Sequence, residues 1–144
     1  MLKGGIMTTH PYLRAYMAGV TVPSVLLLFV FVFFCVIRLA YNPDFPIERV
    51  LVFPLALVPA IWGVWNMVYL AMHNRRYMPL GCHGALVPVV LVPVALVAAK
   101  AFGFELTLAA SWTIVIVALP LLAIIYYLVW KYLVRFLNEV LGIA

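Results

Sequence analysis

AYMAGVTVPSVLLLFVFVFFCVI, residues 15–37, runs 23 residues without a charge between Arg14 and Arg38. As a helix rising ~1.5 Å per residue it is about 35 Å long, enough to cross a hydrocarbon core of ~30 Å once. Lipid offers no hydrogen bonds, so a spanning segment must satisfy its own backbone. That leaves helices or closed barrels. A barrel strand alternates polar and apolar residues, and VLLLFVFVFF (25–34) does not.

The pattern repeats. Residues 50–72 lie between Arg49 and His73, 77–99 between Arg76 and Lys100, and 106–130 between Glu105 and Lys131. Each window crosses once and none is long enough to cross twice. The chain has 144 residues, 69% hydrophobic and 9% charged, with a mean hydropathy of +1.22. An average soluble domain is roughly half apolar and about a quarter charged. A soluble enzyme, a disordered chain and a disulfide-stapled module are excluded. The expected fold class is an all-α membrane protein: four transmembrane helices in an up-down bundle, several of them proline-kinked. It forms one domain, with spans over about 11–39, 47–72, 85–101 and 107–136.

Four spans put both termini on one side. Lys3, Arg14, Arg75, Arg76, Lys131 and Arg135 fall there, against Arg38, Arg49 and Lys100 on the other. Asp44, Glu48 and Glu105 neutralise the second side, so the net charge of +5 sits on the terminal face. Excess Lys and Arg marks the cytoplasmic side, here expected of a bacterial inner membrane. The basic balance points to anionic lipid headgroups rather than nucleic acid. Cys35 and Cys82 fall on opposite sides and are not expected to pair.

Local signals place the ends. Pro11 suits a first helical position, with His10 beside it and Thr9 as a cap. Pro23 interrupts the first span, and the hydroxyls of Thr21 and Ser24 are near enough to serve its freed carbonyl. Gly81 and Gly84 read as breakers of an inner loop from His73 to Gly84. Small residues form seams, Ala15-xxx-Gly19-xxx-Pro23 on the first helix and Ala56-xxx-Ala60 and Pro59-xxx-Gly63 on the second, where helices approach closely. The tail 131–144 is amphipathic, with Lys131, Arg135, Asn138 and Glu139 on its polar face.

The candidate chemistry is sparse. All four acids lie at span edges, and no Lys or Arg is at mid-span. Proton relays, carboxylate metal centres and voltage sensors need such groups. His73, Cys82 and His83 bracket one loop but match no metal-ligand spacing. No metal or cofactor is expected. Asn66 is an amide well inside a span and should find a partner across helices. With Trp62, Trp65 and Tyr69, and with Tyr126 and Trp130 at similar depth, it outlines a candidate aromatic cavity for a lipid or quinone-type ligand. The same residues equally describe a bundle core. His73, Arg75, Arg76 and Tyr77 form a candidate lipid-headgroup cluster, because guanidinium pairs phosphate bidentately.

The leading functional expectation is association, as an accessory or scaffold subunit of a membrane complex or as a homo-oligomer. The runner-up is a small transporter or ligand-binding protein built on the cavity. A lipid-headgroup enzyme using His73, Arg75, Arg76 and His83 ranks third.

Overall fold

A computed structural model describes residues 10–41, 55–73, 78–101 and 114–143. Among them there are four helices long and apolar enough to cross a membrane, and no strand. The architecture is all-α, as the charge spacing requires. Helix α1 is Pro11–Tyr41. Helix α2 is Val58–His73, entered through a tight turn at Leu55–Leu57. Helix α3 is Leu80–Ala101. Helix α4 covers 114–140 in continuous pieces: a wide π turn at Ile114–Ala118, an α segment at Leu119–Val129, a second π turn at Trp130–Val134 and a last α segment at Arg135–Val140.

The chain divides into two compact units, Met1–Ala71 with Asn138–Ala144, and Met72–Leu137. In the first, α1 and α2 run antiparallel, with Ala15 opposite Asn66 and Gly19 opposite Trp62 and Gly63. The first-helix seam is the contact: Ala15, Ala18, Gly19, Val22 and Pro23 are its buried residues. A Cβ on Gly19 would stand 2.5 Å from the Trp62 carbonyl oxygen and 2.9 Å from the Gly63 Cα. Only glycine allows backbone to meet backbone here. A Cβ on Gly63 would meet side chains instead, the Tyr16 ring and Val20. The second-helix seam is used only in part, since Ala56 and Ala60 are exposed.

Helix α1 starts where its proline places it. The amide of Arg14 donates to the His10 carbonyl at 3.2 Å and closes the first turn, while Thr9, the expected cap, lies outside the described residues. Near Pro23, the Thr21 hydroxyl donates to the Met17 carbonyl at 2.7 Å, one turn behind it, and not to the carbonyl that the proline frees. The helix has 31 residues, about 46 Å at 1.5 Å per residue, so it must tilt or overshoot the hydrocarbon. None of its residues beyond Pro23 is buried.

In the second unit, α3 begins five residues before the expected Ala85. Gly81 and Gly84 therefore lie inside the helix and not in a loop. Packing explains the difference. A Cβ on Gly81 would meet the Tyr127 ring at 2.8 Å, and one on Gly84 would overlap the Trp130 side chain. Both glycines serve as receptacles for α4 aromatics. Their cost of up to ~1 kcal/mol each in a helix is offset by that packing. Pro88, expected in the first turn, sits in the interior with Pro93.

The π turns of α4 also have local causes. The first precedes Pro120, which has no N–H to donate. In the second, the Arg135 amide reaches back to the Trp130 carbonyl, five residues earlier. A wide turn holds an extra residue, so residues four apart stay nearer one face. Trp130, Val134 and Asn138 are all buried. The helix runs to Val140, so the amphipathic tail extends it beyond 136, the expected end of the span. The expected starts of the second and fourth spans, 47 and 107, lie outside the described residues.

Gly19→Ala tests the α1–α2 contact. Its Cβ meets backbone that cannot rotate aside, so a loss of about 1–3 kcal/mol is expected in unfolding experiments in mild detergent. Val64→Leu, on exposed surface of the same helix, should stay within about 0.5 kcal/mol of wild type.

Candidate functional site

Buried polar groups are the natural starting point in so apolar a chain. Among the described residues they are Asn66, His83 and Asn138. Two of them find each other. Asn66 Nδ2 donates to Asn138 Oδ1 at 2.8 Å, and Asn138 Nδ2 donates back to Asn66 Oδ1 at 3.3 Å. The second N–H of Asn66 donates to the Ala15 backbone carbonyl at 2.8 Å. Both donors and the acceptor of Asn66, 1% exposed, are engaged. Three segments of one unit are tied at this point: α1, α2 and the last segment of α4.

Helix geometry delivers each group. Ala15 belongs to the small-residue seam, whose lack of bulk lets the Asn66 amide reach a carbonyl that already belongs to a helix. Asn138 lies in the last α segment, and the helix then ends in a Schellman turn. Gly142 adopts φ +65°, its amide donates to the Glu139 carbonyl at 3.0 Å, and the Ile143 amide donates to the Asn138 carbonyl at 2.8 Å. The Arg14 guanidinium then donates to the Gly142 carbonyl at 2.7 Å. The beginning of α1 and the end of α4 therefore meet.

The tail reading is corrected here. Asn138 does not share the exposed face of Lys131, Arg135 and Glu139 but turns inward to Asn66. The expectation that Asn66 would find a partner across helices holds, and the partner is the residue assigned to the opposite face. A signal for it existed. Of the four asparagines, Asn42 and Asn74 lie in expected loops, leaving Asn66 and Asn138 as the two in helical stretches.

His83 is the third buried polar residue. It is not in an inner-face loop, as expected, but 4% exposed within α3. Its ring stands edge-on to Trp130 with centroids 6.0 Å apart. Trp130, fully buried, thus packs against His83 and Gly84 of α3.

The structure divides the candidate cavity residues. Trp62 and Asn66, buried, and Trp65 and Tyr69, half-buried, belong to the first unit. Tyr126, half-buried, and Trp130 belong to the second. Of the candidate headgroup cluster, His73 ends α2, while Arg75, Arg76 and Tyr77 lie outside the described residues. Among the described residues no three metal-ligating side chains come together. Cys35 and Cys82 are both free thiols, as expected.

The chain matches no known family model, no curated protein and no solved structure.

The amide pair makes a quantitative prediction. Asn66→Leu or Asn138→Leu strands the remaining buried amide and should cost about 1–3 kcal/mol. The double substitution should cost less than the sum of the singles. The coupling should fall in the range seen between membrane helices, about 0.6 and up to about 1.7 kcal/mol. Strict additivity in a double-mutant unfolding cycle would show that the pair does not form in the bilayer.

Proposed function

We propose that this protein works by association: a small multi-pass subunit that joins a larger membrane complex, or that assembles with copies of itself. The observation that carries this reading is the use made of the buried polar groups. In membrane proteins such groups mark ion paths, relays and ligand sites. Here the amides of Asn66 and Asn138 hydrogen bond to each other and to Ala15, so they join helices. Beyond Pro23, α1 adds an apolar surface with no buried residue, and Ala56 and Ala60 leave small residues exposed on the approach to and start of α2. Small side chains allow a neighbouring helix to come close.

The ligand-cavity reading has less support, because Asn66, its polar anchor, has both N–H groups engaged by protein acceptors. The charge balance supports a setting in a bacterial inner membrane with both termini in the cytoplasm, by the positive-inside rule.

Purification in mild detergent followed by native mass spectrometry tests the proposal. The expected result is a homo-oligomer or a stoichiometric complex with another membrane protein. A clean monomer carrying one small-molecule ligand, lost on Asn66→Leu, would replace association with the cavity reading.

A further inference from the structure

The end of α4 has two affiliations. Along the backbone it continues a helix whose earlier turns lie in the second unit. In space, residues 138–144 belong to the first unit. The division falls between Leu137 and Asn138, just past the π turn at Trp130–Val134. Such turns are among the few places where a helix can kink sharply.

The segment 138–143 is self-contained. The Gly142 amide closes on the Glu139 carbonyl and the Ile143 amide on the Asn138 carbonyl, so its shape is set by its own backbone. It offers two polar handles, the Asn138 carboxamide and the Gly142 carbonyl. The seat that receives them is built by α1 and α2. Asn66 takes the carboxamide at 2.8 and 3.3 Å, and Arg14 takes the carbonyl at 2.7 Å. The approach of Gly19 to the Trp62 and Gly63 backbone brings α1 and α2 together without help from the segment. Without the segment, Asn66 would lose its side-chain partner inside the membrane, which is costly. The seat therefore needs a segment of this chemistry. None of these bonds involves a residue of the second unit, so none fixes which copy's α4 delivers it.

From this arrangement we infer that the segment 138–143 is exchanged between two copies of the chain, each filling the other's Asn66 and Arg14 seat. Within one chain the seat is filled by that chain's own segment. A second copy carries the identical segment, so exchange keeps every hydrogen bond and joins the copies reciprocally, as a closed two-fold pair. The inference rests on the association reading in its self-assembling form, and it names the partner and the joint.

The test co-expresses two differently tagged variants, Asn66→Leu and Asn138→Leu, and weighs the pairs by native mass spectrometry in mild detergent. With exchange, a hybrid pair has one seat holding both amides and one holding neither. Each like pair has a stranded amide in both seats. The coupling seen between membrane helices then enriches the hybrid about threefold or more over statistical mixing. Pairs formed in statistical proportion overturn the inference and leave the association reading standing, since each chain then fills its own seat. A complex of one copy with another membrane protein does the same. A wild-type chain that stays monomeric overturns both the inference and the self-assembling reading. A second measurement needs no substitution and so does not depend on the variants folding. Chains labelled at asparagine with heavy nitrogen are refolded and reconstituted together with chains labelled with heavy carbon. An Asn66–Asn138 carboxamide contact between the two kinds of chain is expected in solid-state NMR. A contact present in doubly labelled protein but absent from the mixture overturns the exchange.

Discussion

A buried amide in a bilayer must be hydrogen-bonded, because neither lipid nor water is there to serve it. The first unit is arranged around that requirement. Asn66 offers two donors and an acceptor, and two other segments converge to meet them, with the carbonyl of Ala15 and both ends of the Asn138 amide. The convergence is possible only where the backbones come close, and Gly19 against Gly63 brings them close. Small residues and polar residues thus act as one device. The first set the distance, and the second fix which faces meet.

The second unit uses the complementary solution. Its helices join through large aromatics seated on glycines, Tyr127 on Gly81 and Trp130 on Gly84. Apolar contact between helices in lipid has no hydrophobic driving force, so shape must supply it. Trp130 on a glycine, with His83 edge-on beside it, supplies shape and a weak polar contact together. The same packing locks Tyr127 and, through it, the position of Lys131.

What the sequence revealed, and what it hid, follows from the range of the forces involved. Span number came from charge spacing, because the cost of a charge in lipid acts on every residue of a window. The start of α1 at Pro11 and its small-residue seam were legible for similar reasons, being local in sequence. The start of α3 was not. Gly81 and Gly84 read as breakers because their reason for being glycine lies some 46 residues away, in Tyr127 and Trp130. Asn138 was misplaced for the same kind of reason. A regular 100° wheel assigns it to the polar face, but the wide turn at Trp130–Val134 changes the register, and Asn66 rewards the inward face. The need of Asn66 for a partner was readable. The identity of that partner depended on a tertiary contact.

The central claim is that Asn66 and Asn138 are one hydrogen-bonded unit within the membrane. The chain has four asparagines, so selective labelling gives a simple spectrum. Solid-state NMR of asparagine-labelled protein in lipid bilayers reads side-chain carboxamide proximity directly. The account predicts a short-range Asn66–Asn138 carboxamide cross-peak, as bonds of 2.8 and 3.3 Å require, lost on Asn138→Leu. Well-resolved signals from both residues with no cross-peak between them would contradict it.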